Sequence, residues 1–400
     1  MAFWLSGSTE TVGLLLQMLL VFGAAKLLAE FAENIGQPAV VGELIAGVII
    51  GPSVLNWVQP NEFLSVFSEL GVLFLLFQVG LELEDFNLTR VGLNAIVIAT
   101  SGVIIPFIVG RQLMISLGHP DIEAAFVGAS MVATSVGITA KVLTDFGLLS
   151  ARASKLILAA AIIDDVLGLI VLAVVSSMAK GSVNYLELCT TAGLAITFTV
   201  IVAQYGTRAF ERIVPRLDAR MRSSNSQFIL SILLLFILSI LASRAGVAAI
   251  IGAFLAGMAL ASSVDARTKL ETAGVTDLLV PFFLAGIGLH MDLSVFQEPS
   301  TMMICGIVLF AAVLTKLIGC GLGAFRLGYK DALRVGVGMV PRGEVGMVVA
   351  QIGQNIGVIP KDIYAVVVFM SIATTMVAPP LLKLAYSDLI RRPTEDQVPQ

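Results

Sequence analysis

The chain has 400 residues, 57% of them hydrophobic and 13% charged, with a mean hydropathy of +0.96. Soluble domains carry about 25% charged residues, so composition excludes one and points to an all-α polytopic membrane protein whose first partner is the lipid bilayer. The net charge of -4 is small and says nothing about nucleic acid, and no nucleic-acid partner is expected; two His exclude a multi-His metal centre, and Cys189, Cys305 and Cys320 fit neither a metal spacing nor a disulfide framework.

Hydropathy and helix breakers predict thirteen spans, near 11–32, 38–57, 62–81, 91–116, 122–147, 152–178, 184–205, 224–243, 246–262, 272–289, 299–325, 331–355 and 362–386. The stretch MAFWLSGSTE has no Lys or Arg, unlike the basic start of a signal peptide, so the first span is expected to be retained. Thirteen spans divide into six, a connector and six, with the second six inverted. The fifth span of each six carries an internal break signal: Thr134-Ser135-Val136-Gly137 in the first and Pro341-Arg342-Gly343-Glu344 in the second. Paired, interrupted spans in matching positions point to a transporter's binding site. After the seventh span, Arg208, Arg212, Arg216 and Arg220 recur at period four. They predict a helix lying on the inner membrane surface, drawn by anionic lipid and started or kinked by Pro215, with a plain basic loop as the alternative. Basic residues divide sixteen to four between odd loops with the C-terminus and even loops. The positive-inside rule then places the N-terminus outside and the C-terminus in the cytoplasm of a cell inner membrane.

Few ionisable residues fall near the middle of a span. Asp164 and Asp165 stand together in the apolar run from Leu156 to Val175. A lone carboxylate at that depth costs at least about 3 kcal/mol, and two neighbours disfavour each other's ionisation. Such a pair fits a wet cavity that binds a cation or a proton. Adjacent helical residues point about 100° apart, so the two aspartates face different partners. Lys316, between Val313 and Leu322, is the expected mate. A Lys–Asp pair that opens and closes carries a proton, whereas a permanent pair only fixes packing. Arg342 and Glu344 flank Gly343 and fit neutralisation of broken helix ends better than ion binding. Thr134 and Ser135 offer hydroxyl and freed carbonyl oxygens to a small cation, or merely satisfy the helix. Glu43 and Glu69 either line a funnel or are satisfied locally. Glu82, Glu84 and Asp85 are expected to be solvated, no role is expected for His290, and Gly42, Gly47 and Gly51 are expected to let helices approach closely.

The runs Ala161-Ile-Ile-Asp164-Asp165-Val-Leu-Gly168, Ala133-Thr-Ser-Val-Gly-Ile-Thr139 and Gly338-Met-Val-Pro-Arg-Gly-Glu-Val-Gly346 resemble the electrogenic branch of the monovalent cation/proton antiporters. So do Gly42-Glu-Leu-Ile-Ala-Gly-Val-Ile-Ile-Gly-Pro52 and Gly71-Val-Leu-Phe-Leu-Leu-Phe-Gln-Val-Gly-Leu-Glu82. The resemblance covers essentially the whole chain and is strongest to bacterial sodium/proton antiporters of the NapA kind. It implies a homodimer of thirteen-helix subunits with two crossing discontinuous helices. It divides the chain into dimer-domain helices (1–90 and 224–296), core-domain helices (91–180 and 297–390), a linker with the basic segment (181–223) and a cytoplasmic tail (391–400). By the same resemblance Asp165 binds Na⁺ directly with Asp164 beside it, and Asp164 pairs with Lys316 when the cation is absent. Thr134 and Ser135 lie at the first crossing, and Arg342 and Glu344 at the second. Electroneutral relatives typically carry Asn-Asp, and glutathione-gated potassium efflux relatives Gln-Asp, where this chain has Asp-Asp; the efflux relatives also carry a large nucleotide-binding domain, and this chain stops soon after its last span.

The expected activity is secondary exchange of one Na⁺, with Li⁺ tolerated, for two protons by alternating access. It needs no resident cofactor, and the chain is not read as an enzyme. K⁺/H⁺ exchange is the alternative within the class. A channel or ion-gated sensor lacks a visible filter loop. Intramembrane aspartyl proteases place their two Asp on different spans, unlike the adjacent pair here.

Overall fold

A computed structural model of the chain describes residues 10–83, 88–179, 185–218, 225–293 and 299–390. The described residues are helical apart from turns and short connectors. This follows from the solvent: inside a bilayer every backbone N–H and C=O must be satisfied internally, and an apolar chain does so as helices. In chain order the helices are α1 (Glu10–Asn34), α2 (Ala39–Ile50), α3 (Glu62–Glu82), α4 (Leu88–Ser116), α5 (Asp121–Val132), α6 (Val136–Asp145), α7 (Arg152–Ala179) and α8 (Tyr185–Asp218). They continue with α9 (Ser226–Arg244), α10 (Ala249–Leu260), α11 (Ala266–Leu289), α12 (Pro299–Gly323), α13 (Tyr329–Gly338), α14 (Gly343–Asn355) and α15 (Lys361–Ala385). Among the described residues, nine helical segments are long and apolar enough to cross a membrane, counting α5 with α6 as one.

Three elements correct the sequence reading. The span expected over 38–57 is the 12-residue helix α2, which ends at Ile50 where Gly51 and Pro52 turn the chain. The basic segment after the seventh span is not a separate surface helix as far as it is described. Helix α8 runs unbroken to Asp218, with Arg212 and Arg216 exposed on it, while Arg220 and Arg222 lie outside the described residues. Position 215 falls in the last turn, where a missing N–H removes one hydrogen bond without ending the helix. Helix α11 begins at Ala266, ahead of the expected 272, because the Asp265 carboxylate accepts the Thr268 N–H at 2.8 Å and caps it.

The helices pack in two groups. In one, α3 lies against α10 and α11, α2 against α1 and α11, and α9 against α10. In the other, α4 lies against α5, α7 and α12, α12 against α13 and α15, and α14 against α5 and α15. Helix α8 touches members of both; across the boundary α6 meets α2 and α3, and α15 meets α2. Close approach within the first group rests on glycine. A Cβ on Gly42 would strike the Leu28 carbonyl, and one on Gly47 the Ala285 carbonyl. Glu43, 2% exposed, pairs through Oε1 with Lys26 of α1 at 3.1 Å, while its Oε2 is buried without a partner. Gln78 donates to Glu82 at 3.2 Å, and Glu84, Asp85 and the tail from 391 lie outside the described residues.

Candidate functional site

Both predicted breaks are present, and they meet. Helix α5 stops at Val132 and α6 starts at Val136; α13 stops at Gly338 and α14 starts at Gly343, whose φ of +51° favours a glycine. The two gaps are tied by backbone and side chain. The Ser135 N–H donates to the Pro341 carbonyl at 2.7 Å, and the Thr139 hydroxyl donates to the Gly338 carbonyl at 2.7 Å. The Gly343 N–H at the start of α14 donates to the Thr375 hydroxyl of α15 at 3.2 Å.

Lys316 reaches this crossing from α12 and is 0% exposed. Its ammonium donates to Asp164 Oδ1 at 2.8 Å, to the Val132 carbonyl at 2.8 Å and to the Gly102 carbonyl of α4 at 2.9 Å. An ammonium has three donors, and all three are used. The Val132 carbonyl belongs to the last turn of α5, where helix carbonyls lack intrahelical partners and carry partial negative charge. Arg342, also fully buried, reinforces the same end. Its Nη1 donates to Ala133 at 2.8 Å and Val132 at 3.2 Å, and its Nη2 to Ala312 of α12 at 3.0 Å. Two cations thus meet the α5 C-terminus beside the Asp164 carboxylate.

Asp165 points elsewhere. It makes no side-chain hydrogen bond among the described residues, and it faces a small apolar chamber walled by Leu76, Val136, Ile162, Ile250 and Phe254. That chamber lies where the two helix groups meet. On its other flank Asp165 shares a pocket with Asp164, Ala133, Ala248 and Val345. The aspartates therefore part as their spacing on a helix requires, Asp164 toward Lys316 and Asp165 toward the group boundary. Asp164 Oδ2 and the Thr134 hydroxyl are buried without a hydrogen-bond partner. Glu344, in the first turn of α14, accepts from the Ser135 hydroxyl at 3.5 Å and lines a cleft of about 380 Å³ with Glu69, Ser68, Phe283, Gln351 and Tyr364. His290 sits at the mouth of that cleft. A second cleft, at the opposite end of α6, is lined by Glu33, Gly36, Asp145 and Lys383; there Lys383 of α15 donates to the Gly36 carbonyl at 2.5 Å across the boundary.

The structure thus brings Asp164, Lys316 and Arg342 to one helix end, joins Ser135 to Glu344, and leaves Asp165 and Thr134 free of protein partners. Sequence reasoning missed the carbonyls of Gly102 and Val132, which no side-chain pattern announces. It also missed Thr139 and Thr375, although Thr139 closes one of the motif runs.

The sequence matches the model of the sodium/hydrogen exchanger transmembrane family over residues 18–385. It is 33% identical to the Na⁺/H⁺-K⁺ antiporter GerN of Bacillus cereus, covering 92% of this chain and 95% of that one. It is also 33% identical to the high-affinity Na⁺/H⁺ antiporter NhaS3 of Synechocystis, covering 94% and 90%. Among solved structures, the sodium proton antiporter MjNhaP1 of Methanocaldococcus jannaschii superposes with a TM-score of 0.68 at 20% identity, over 96% of this chain and 98% of that one, which shows a shared fold. Spans, paired breaks and relatives agree, and the chain is a multi-pass membrane protein of the sodium/hydrogen exchanger family.

Proposed function

We propose that this cation/proton antiporter exchanges Na⁺, with Li⁺ tolerated, for two protons by alternating access. The observation that carries the reading is the divided pair: Lys316 bound to Asp164 at 2.8 Å beside an Asp165 with no protein partner. In the cation-free state Asp165 holds a proton and Lys316 is charged against Asp164. A cation entering the chamber takes the carboxylates as ligands, with the Thr134 hydroxyl at hand, and displaces both protons. One Na⁺ outward against two H⁺ inward moves one net positive charge inward. The membrane potential then drives export with about 2.3 kcal/mol per 100 mV. Arg342 holds the broken helix end rather than the ion, and Glu344 faces the cleft leading to the site.

The α4–α7 and α12–α15 group is the moving core, and the α1–α3 and α9–α11 group is the static scaffold that pairs in a homodimer. The sharing of Asp165's chamber between the groups supports this division, because movement along their boundary would carry the site from one face to the other. The N-terminus lies outside and the C-terminus in the cytoplasm of a cell inner membrane, as the basic residues suggest. The cleft holding Glu69 and Glu344 then faces outward.

The test is proton flux in liposomes holding the purified protein, with an inside-acid gradient, addition of Na⁺, Li⁺ and K⁺ in turn, and the voltage clamped or free. Cation-triggered, voltage-sensitive proton loss that vanishes in Asp165→Asn supports the reading. A voltage-sensitive stoichiometry retained in Lys316→Gln removes Lys316 from the carrier role. The second reading is K⁺/H⁺ exchange, favoured by the K⁺ in the name of the Bacillus cereus relative; a response to K⁺ equal to that for Na⁺ selects it.

A further inference from the structure

The cleft that reaches Glu344 stops short of Asp165. Its deep wall is made by Val72 of α3 and Phe283 of α11, whereas Leu76, one turn further along α3, already lines the chamber of Asp165. These three side chains form an apolar collar, 6%, 1% and 1% exposed, between the open cleft and the aspartate. What fills the collar from the other helix group is the backbone of Gly137, in the first turn of α6. A Cβ built there would lie 2.9 Å from Val72 Cγ2 and 3.5 Å from both Leu76 Cδ2 and Phe283 Cε1. The preceding residue, Val136, faces the chamber itself. Residues 136 and 137 therefore stand on the two sides of one wall.

We propose that Gly137, seated in the Val72–Leu76–Phe283 collar, is the seal that closes the Asp165 chamber to the Glu344 cleft, and that its missing side chain lets the core close onto the scaffold. The argument is steric. A contact under 3.0 Å with a β-branched side chain rooted on a packed helix is not relieved by swinging a flexible tip aside, because Val has one strongly preferred rotamer in a helix. A side chain at 137 holds the collar open, so the chamber stays wet on the cleft side. An exchanger in which both protons and cations reach the site from one face throughout the cycle loses coupled turnover. The apolar lining serves the same end: a dry collar gives a cation crossing it no oxygen ligands, so ions pass only when the groups part. This inference rests on the alternating-access reading above for its effect on turnover, but the seal itself is read by accessibility.

The experiment replaces Ile250, on the chamber wall, by cysteine in a chain whose exposed Cys189 is changed to Ser, and measures labelling by a membrane-impermeant thiol reagent added on the cleft side of proteoliposomes. Gly137→Ala is expected to raise that labelling and to lower cation-driven proton flux about tenfold, the effect of a clash of about 1.4 kcal/mol. Val72→Ala in the Gly137→Ala background removes the atom that is struck and is expected to restore both. Wild-type labelling and flux in Gly137→Ala overturn the proposal. So does a Gly137→Ala defect that Val72→Ala leaves unchanged, since a glycine needed only for folding would not be rescued by trimming Val72. If the wild type shows no cation-driven proton flux, the transport reading fails, while the labelling comparison still decides the seal.

Discussion

At the break between α5 and α6 the carbonyls of Val132 and Ala133 are met by two buried cations, Lys316 and Arg342, whereas at the break between α13 and α14 the Gly338 carbonyl is met by the neutral hydroxyl of Thr139. Both are helix C-termini carrying roughly half a negative charge. The difference lies in what stands next to them. The α5 end adds its partial charge to Asp164 on α7, so that neighbourhood needs positive charge to be stable in a dry interior. A hydroxyl is enough where only one helix end must be satisfied. The two breaks thus differ in what they hold: one gathers buried charges, and the other ties the crossing together with a neutral hydroxyl.

That contrast can be broken by mutation. The largest effect on transport is expected from Asp165→Asn, which should bring cation-driven proton flux to background while thermal unfolding in detergent stays near that of the wild type, because no protein hydrogen bond is lost. The largest effect on stability is expected from Lys316→Ala, which leaves Asp164 buried without its counter-charge and should cost about 3–5 kcal/mol. Adding Asp164→Asn should recover much of that loss. Equal losses in the single and double variants would show that the cost comes from packing and not from charge. Arg342→Gln should cost about 1.5–3 kcal/mol, the range for hydrogen bonds to a charged group, and Thr139→Val about 1 kcal/mol, with exchange retained in the latter. Detergent unfolding midpoints compare the two, and equal costs would erase the distinction between the breaks.

The smallest effect is expected outside the membrane spans. Lys330 and Arg334 of α13 grip Asp388, beyond the end of α15, at 2.9 and 2.5 Å. Their hydrogen bonds pull its carboxyl down from 3.8 to about 2. The folded value lies below the unfolded one, so the contribution is complete above about pH 4 and is lost as pH falls toward about 2. The acid limb of an unfolding-versus-pH profile should therefore flatten slightly in Asp388→Asn between those values, and a profile identical to that of the wild type would mean the grip adds no stability.

Much of this architecture is legible locally. The positions of α3, α4, α7, α12 and α15 follow from apolar runs bounded by breakers, and the two gaps follow from Thr134-Ser135 and Pro341-Arg342-Gly343. The limits of α2, α8 and α11 do not follow from hydropathy. Helix α2 is only 12 residues long because Gly51 and Pro52 turn it early, α8 absorbs position 215 in its last turn, and the Asp265 cap precedes the apolar stretch that a hydropathy window detects.

The sequence by itself determined that the chain lives in a bilayer as helices, that two of its spans are interrupted, and that Asp164, Asp165, Lys316, Arg342 and Glu344 are ionisable residues deep in those spans. Hydropathy, breakers and the penalty on charge in hydrocarbon are properties of each segment alone, so they can be read without knowing its neighbours. Only the tertiary structure decided that Lys316 finds Asp164 and not Asp165, that the carbonyls of Gly102 and Val132 complete its shell, and that Gly137 sits in a socket from another helix group. These are contacts between residues far apart in the chain, set by the angle of each helix and by backbone atoms that every residue shares, and a backbone carbonyl leaves no mark in a sequence.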